Sequence, residues 1–384
     1  KNKKRKRNIK IKKKQWLNNY LDATKHKDID LIVELIGGAE GPAKKLVFSA
    51  LKNKKHVVTA NKGLIAKYGD QLSKIAEINK VNLEFEASVC GGVPIIRSLK
   101  EGLIANKISK IYGIFNGTSN YILSSMDKQN KNFNEVLDNA KKLGYAESNP
   151  TADINGDDVS AKLKILSSLC FNSFLNNNIH VEGIRNIDKK DINNANKLGY
   201  KIKLLGYSER LNNKIYQRVH PTLIKKSSYV ASIDGVLNAV IIDGKPVGQS
   251  TIQGEGAGAA ATTSALVSDI SSILRGNIKF PFSLSSKERK VLKFSNIADR
   301  FFSAYFRFEV LDKPGVLSNI TNIFSKNKVS IKRLIQDPNK NKGSSSIIVI
   351  THNAKDKFLI KILREVNKKT YVIKLPKLIR IDEN

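Results

Sequence analysis

Cysteine is nearly missing from this sequence: Cys90 and Cys170 are the only two in 384 residues. Two cysteines exclude a disulfide framework and a Cys-rich zinc site. Neither has a His beside it in sequence, which argues against a thiol nucleophile. The five histidines, at 26, 56, 180, 220 and 352, show no metal-ligand spacing. No apolar run approaches the ~20 residues of a membrane span, and none near the start has the form of a secretory signal. The expectation is a reducing, cytoplasmic setting with no membrane partner. Acidic residues are also scarce: 34 Asp+Glu stand against 67 Lys+Arg, a formal net charge of +33. What is present fits a globular chain, with 41% hydrophobic residues and 24 glycines. The length predicts two or three domains with ample core.

So large a positive charge raises the possibility of nucleic-acid binding. Ten Lys or Arg fall in residues 1–14, without one acid. Residues 301–384 hold 17 basic and 7 acidic side chains, and the rest of the excess is scattered. A nucleic-acid surface concentrates charge on one face with aromatic groups or backbone donors between. Here Lys is mixed with Asn and Ile throughout, so charge reads as a property of composition and no nucleic-acid partner is expected.

Hydrophobic periodicity organises the chain. An apolar strand over 30–36 ends in Gly37-Gly38. A helix over 41–53 follows, with Pro42 in its first turn. His56–Ala60 reads as a buried strand, Tyr68–Asn79 as a helix and Asn82–Ala87 as another strand. This alternation predicts βαβ units and a parallel sheet. The middle mixes helices (95–105, 119–126, 133–143, 158–171 and 262–274) with a strand at 107–116 and short alternating segments over 200–253. Residues 276–300 read as a linker. Segments 303–311, 315–326, 329–336, 345–351, 355–366 and 371–375 follow in the order βαββαβ, the ferredoxin-like pattern.

Four constellations carry chemistry. In the first, Glu147, Asp153 and Asp158 precede Lys162, and Asp158 and Lys162 are four apart on one helix face. Carboxylates gathered round a lysine suit ammonium binding and proton donation. The same spacing also describes a helix N-cap by Asp157 or Asp158 with an ordinary surface ion pair. In the second, Thr59-Ala60-Asn61-Lys62-Gly63 closes a parallel strand, the end at which open α/β sheets take ligands; a solvated Lys62 is the alternative. The third, Glu86 through Pro94, is a strand running into a tight turn, able to offer carbonyls to a monovalent cation or to be only a turn. The fourth, Gly254-Glu255-Gly256-Ala257-Gly258, precedes a helix and permits close backbone approach.

Taken together and in order, Glu34-Leu35-Ile36-Gly37-Gly38, Val58-Thr59-Ala60-Asn61-Lys62, Asn116-Gly117-Thr118-Ser119-Asn120-Tyr121-Ile122-Leu123 and the block Leu143-Gly144-Tyr145-Ala146-Glu147 through Lys162 resemble bacterial homoserine dehydrogenase over roughly residues 28–275. Leu311-Asp312-Lys313-Pro314-Gly315-Val316-Leu317 resembles the start of an ACT regulatory domain. The resemblance implies an α/β chain in four parts. These are a truncated Rossmann-type NAD(P)-binding domain over 1–88, to which helix 255–275 returns, an α+β catalytic and dimerisation domain over 89–275, a linker over 276–300 and a ferredoxin-like ACT domain over 301–384. It implies reversible NADP- or NAD-dependent reduction of L-aspartate 4-semialdehyde to L-homoserine, a step of threonine and methionine biosynthesis.

By motif, Lys162 is then the acid/base, with Lys62 assisting between nicotinamide and substrate. Glu147, Asp153, Asp158, Gly117 and Thr118 line the substrate pocket. Ile36, Lys62, Gly144 and Gly258 approach the cofactor. Glu86, Val89, Gly91 and Val93 form a structural sodium site, largely of backbone carbonyls. The resemblance also implies a homodimer or higher homo-oligomer and an amino-acid effector, threonine, at the ACT domain. Two positions depart from the family pattern: Asn149 stands for a common Asp and Glu255 for a common Pro.

The family begins with a strand, a G-x-G-x-x-G loop, a helix and a second strand. This chain, which does not begin with Met, has no such loop. The expectation is a missing upstream part and weak or absent dinucleotide binding by the chain as it stands. Micromolar NADPH affinity in a fluorescence titration would contradict it. Residues 1–14 then correspond to the stretch just after the second strand, where basic side chains meet a 2′-phosphate. The alternative is a non-catalytic regulatory fragment in which only the ACT part functions.

Overall fold

The computed structural model describes residues 9, 11, 12, 15–175, 178–338 and 343–382. Of the ten basic residues in 1–14, all but Lys12 lie outside the described residues.

The first part is built as the alternation predicts. Strand β1 (Leu31–Glu34), helix α1 (Pro42–Lys52), strand β2 (His56–Thr59), helix α2 (Lys62–Asn79) and strand β3 (Leu83–Glu84) form a three-stranded parallel sheet in the order β1-β2-β3. Pro42 sits in the first turn of α1, where its fixed φ and missing N–H are tolerated. Two boundaries differ from expectation. Helix α2 begins at Lys62, six residues before Tyr68, because the Asn61 side chain caps it by accepting from Leu64 N at 3.0 Å. The strand expected over Asn82–Ala87 shortens to β3, and Glu86–Ser88 winds into a 3₁₀ turn.

The second part contains strand β4 (Lys107–Ile114), helix α3 (Gly117–Gln129), helix α4 (Asp157–Phe171), strands β5 (Tyr200–Leu211), β6 (Lys214–Lys225), β7 (Leu237–Lys245) and β8 (Gly248–Glu255), and helix α5 (Ala259–Leu274). The segments expected over 200–253 are thus long antiparallel strands, with β5 and β6 paired along their whole length. Helix α5 crosses back to β2 and the Glu86–Ser88 turn, where Asp269 accepts from Glu86 N at 3.0 Å. Among the described residues no helix is long and apolar enough to cross a membrane.

Residues 276–300 are mostly irregular, but they are not a free tether. Phe282 is buried against Phe85, and the Arg289 guanidinium donates to Asp70, Ser168 and the Ser173 carbonyl. The last part is β9 (Phe301–Leu311), α6 (Val316–Lys326), β10 (Ile331–Pro338), β11 (Ser344–Thr351), α7 (Asp356–Asn367) and β12 (Lys377–Asp382). The βαββαβ order is as expected. The final strand is not: 371–375 makes only an isolated bridge at Val372, and β12 starts six residues after Tyr371.

β12 joins the two halves. It lies antiparallel to β9 on one side and parallel to β6 on the other, with Arg380, Ile381 and Asp382 opposite Thr222, Leu223 and Ile224. One sheet therefore runs β10-β11-β9-β12-β6-β5-β4-β7-β8. The side chains agree. Tyr207 and Tyr216 of β5 and β6 belong to the same buried cluster as Phe306, Phe308, Ile320, Phe324 and Leu359.

Candidate active site

The site lies where α2, α3 and α4 converge. Asn116, two residues past β4, caps α3, its Oδ1 accepting from Ser119 N at 2.7 Å. That fixes its amide, whose Nδ2 donates to Asp153 Oδ1 at 2.7 Å and Asp158 Oδ2 at 2.8 Å. Asp153 lies in the short helix Thr151–Asn155, and Asp158 in the first turn of α4.

Asp158 is the centre of charge. It is 4% exposed. Its Oδ1 is 2.6 Å from Lys62 Nζ and its Oδ2 is 2.9 Å from Lys162 Nζ. Two ammonium groups 100 positions apart in sequence thus share one carboxylate. The surface-pair and N-cap readings of this block both fail. Asp158 and Lys162 are buried, and the residue before the helix, Gly156, makes no side-chain cap. Lys62 stays partly exposed but is not merely solvated, since capping by Asn61 sets it on the first turn of α2 facing Asp158.

Burial opposes charge on Asp158 and on Lys162, and at these two the neighbours outweigh it. The Asp158 carboxyl is raised by burial but held well below its usual range by Lys162 and Lys62. The Lys162 ammonium is disfavoured by burial yet kept above its ordinary value, chiefly by Asp158. Asp153 moves up, because its burial exceeds the help from Asn116. Lys162 also donates to the Phe115 carbonyl at 2.7 Å. With three N–H groups and two such acceptors, one donor is left for a ligand. Asn238 Nδ2 donates to the same carbonyl at 3.1 Å. Cys90 is fully buried and pushed up to about 11 by that burial, so it is no nucleophile.

The remaining expected residues fall in three groups. Gly117 opens α3 so close to Val236 that an added Cβ would lie 2.6 Å from its carbonyl oxygen. Gly117→Ala is therefore expected to cost about 1–3 kcal/mol of stability, read in a thermal melt. Thr118 donates to the Tyr145 carbonyl at 2.7 Å, tying α3 to the loop that carries Gly144 and Glu147. Gly144 and Glu147 are both exposed, and no described hydrogen bond or ion pair joins Glu147 to the lysines. Ile36 lies in the turn after β1, and Gly258 (φ +117°) begins α5 with open space beside it. The string around Gly256 docks on the Glu86–Pro94 turn, where Gly92 N donates to the Glu255 carbonyl at 3.0 Å. In that turn the Glu86 carboxylate accepts from Ile96 N and Arg97 N at 2.8 and 2.7 Å.

Glu34 was not singled out for a role, and it organises the edge at which Lys62 sits. Fully buried at the end of β1, it accepts from Ile36 N and Gly37 N at 2.7 and 2.9 Å and from the Thr59 hydroxyl at 2.7 Å. Thr59 Oγ1 in turn accepts from Asn61 N at 3.0 Å, and Asn61 Nδ2 donates to the Gly38 carbonyl at 2.8 Å. The turn 36–38 and the cap of Lys62 are thus one network. Its signal was an acid closing an apolar strand. Asn116 was legible as a Asn at a strand-to-helix junction. Asn238, on a strand far along the chain, had no local signal.

Known proteins share this arrangement of parts. A homoserine dehydrogenase family model matches residues 94–271, a model of the homoserine dehydrogenase NAD binding domain matches 1–86, and an AHAS small subunit-like ACT domain model matches 306–374. The chain is 42% identical to homoserine dehydrogenase of Neisseria gonorrhoeae over 344 residues, which cover 87% of this chain and 78% of the relative. It is 35% identical to that of Bacillus subtilis over 386 residues, covering 99% and 88%. Among solved structures, homoserine dehydrogenase from Thiobacillus denitrificans superposes with a TM-score of 0.88 at 38% identity, covering 95% of this chain and 85% of that one. A hyperthermophilic archaeal homoserine dehydrogenase in complex with NADPH superposes with a TM-score of 0.60 at 26% identity, covering 69% and 77%. The chain therefore belongs to the homoserine dehydrogenase family of oxidoreductases, with an NAD-binding domain and a C-terminal ACT-like domain.

Proposed function

We propose that the chain reduces L-aspartate 4-semialdehyde to L-homoserine, with Lys162 as proton donor, and that the shared Asp158 between Lys62 and Lys162 carries this reading. A nicotinamide dinucleotide bound along the β1 and β2 edge supplies the hydride. The open turn Gly37-Gly38, both with positive φ and free of side-chain crowding, suits close approach of such a group. As the aldehyde carbon gains hydride, negative charge grows on its oxygen. The Lys162 ammonium stabilises that charge and hands over its proton, giving the alcohol. Lys62, whose side chain is 45% exposed, reaches from the dinucleotide edge to the same spot. Asp158 has both oxygens occupied, so its part is to hold the two ammonium groups in place. Asp153 and the exposed Glu147 are left to receive the substrate ammonium, with Gly117 and Thr118 lining the pocket. Ile36, Gly144 and Gly258 face the cofactor.

NADPH is the cofactor supported by the archaeal neighbour, which was solved with it. The sodium ion falls to the backbone carbonyls of Glu86, Val89, Gly91 and Val93, since the Glu86 carboxylate is already taken by two N–H groups. The parts divide as residues 1–88, 89–275, 276–300 and 301–384. The ACT part senses an amino acid, threonine being the first to test, and the enzyme works as a homodimer in the cytoplasm.

Glu34→Gln tests the network beneath the cofactor edge. An amide cannot accept from Ile36 N, Gly37 N and Thr59 together without leaving a donor unpaired, a loss of about 1–3 kcal/mol. The expected result is a KM for NADPH raised about 10-fold, with kcat at saturation changed far less. Equal loss in both would remove Glu34 from this positioning role. The reaction itself is tested by NADPH oxidation that requires L-aspartate 4-semialdehyde, in this and every other assay with a strand–G-x-G-x-x-G–helix unit joined ahead of residue 1 to supply the pyrophosphate loop.

A further inference from the structure

Lys203, on β5, is a buried ammonium that the reduction as described does not use. It is 1% exposed. Its Nζ donates to Asn120 Oδ1 of α3 at 3.1 Å, to Asp234 Oδ1 at 2.8 Å and to the Ile233 carbonyl. All three of its N–H groups are thus taken up. Burial pushes its value below that of a free lysine, and Asp234 offsets this only in part. Asp234 is raised by burial but held down to about 2, by Lys203 first and also by the more exposed Lys128 and Lys201.

A buried ion pair is weak evidence for stability, because apolar groups of like volume often serve as well. What this one supplies is geometry. Its acceptors come from two segments far apart in sequence, α3 and the turn 233–236, and Lys203 comes from a third. Neutral groups staple the same two segments again. Asn120 Nδ2 donates to the carbonyls of Ile233 and Leu237 at 3.2 and 3.3 Å, and Gly235 N donates to Ser124 Oγ at 3.1 Å. The Val236 carbonyl presses on Gly117. The turn therefore lies along α3 from its first residue to Ser124.

From Asn120 the active site is one helical turn away. Asn120 N donates to the Asn116 carbonyl at 3.3 Å. Asn116 Nδ2 holds Asp153 and Asp158 together, and Asp158 holds the two ammonium groups. We propose that Lys203 is a positioning residue for the reduction: through Asn120 it sets the first turn of α3, and so fixes where Asn116 holds Asp153 and Asp158 beside the substrate. The proposal rests on the reading given above, in which Asp153 receives the substrate ammonium. Lys203 itself touches neither substrate nor dinucleotide. The dinucleotide edge, organised by Glu34, Thr59 and Asn61, lies outside this chain of contacts.

The test uses the reduction assay described above. Lys203→Met keeps the apolar stem and removes the ammonium, while Asp234 keeps Lys128 and Lys201. The expected result is a KM for the semialdehyde raised about 10-fold, with the KM for NADPH unchanged within about twofold. A role confined to holding the fold together lowers the fraction of active enzyme and leaves both KM values where they were. Asn120→Ala is expected to give the same signature with Lys203 still paired to Asp234 and Ile233, so the test holds even if Lys203→Met does not fold. A cycle with Asn116→Ala traces the route. Lys203→Met is expected to lower kcat/KM for the semialdehyde about 10-fold in the parent and less than about twofold where Asn116 is already alanine. An unchanged semialdehyde KM in both variants, or an equal loss on top of Asn116→Ala, would overturn the proposal and leave the reduction standing. No semialdehyde-dependent oxidation in the parent would overturn the reading beneath it, and the proposal with it.

Discussion

Lys162→Met is expected to lower kcat for aldehyde reduction by about 1,000-fold, the usual scale for loss of a positioned proton donor. Methionine keeps the length and apolar stem of lysine, so the packing of α4 survives. The Phe115 carbonyl keeps Asn238 as a donor, and Asp158 keeps Lys62 and Asn116. NADPH affinity should change little, because the dinucleotide edge is organised by Glu34, Thr59 and Asn61. A steady-state comparison at saturating NADPH reads this as a loss in kcat with dinucleotide KM nearly unchanged. Full turnover in the variant would remove Lys162 as the donor.

Asp158→Asn should give the second large effect, and its signature is a shift with pH. In the parent, burial of Lys162 is outweighed by Asp158, so the ammonium persists above the 10.5 of a free lysine. Without the carboxylate, burial is left to act and the Lys162 value falls below 10.5. The alkaline limb of the kcat profile for reduction therefore moves to lower pH.

Stability follows with a definite sign. The folded variant then binds fewer protons than the unfolded chain between its lowered value and 10.5. Its stability accordingly rises with pH through that window. At neutral pH the buried ammonium has lost its counter-charge, a loss of about 3–5 kcal/mol. Thermal melts at pH 7 and pH 10 check this: the deficit against the parent should shrink at the higher pH. An unshifted limb and a constant deficit would show that Asp158 does not hold the Lys162 proton.

Much of this was legible in the residues. The alternation over 30–87 reports a parallel sheet because burial on both faces of a βαβ unit leaves continuous apolar strands. The βαββαβ order after residue 300 reads equally clearly. What failed was local. Helix α2 starts at Lys62 because of one capping bond from Asn61, a signal present in the sequence and passed over for the apolar period that starts later. The last strand moved to Lys377–Asp382 because pairing with β6 decides it, a tertiary contact that no local pattern around Tyr371 reports. The same holds in the site. Spacing placed Asp158 and Lys162 on one face but could not tell a surface pair from a buried one. Only the arrival of Lys62 and Asn116 from elsewhere in the chain distinguishes them. Glu34 and Asn238 act through backbone groups, and partners of that kind leave no mark on residue type.

The most direct test of the account is hydride transfer itself. NADPH carrying deuterium at the transferable C4 position is mixed with L-aspartate 4-semialdehyde and the chain, and the amino-acid product is analysed by mass spectrometry. The account predicts homoserine with one deuterium at C4, formed in step with NADPH oxidation and all but abolished in Lys162→Met. Homoserine without the label, or labelled homoserine formed at the parent rate by Lys162→Met, would contradict it.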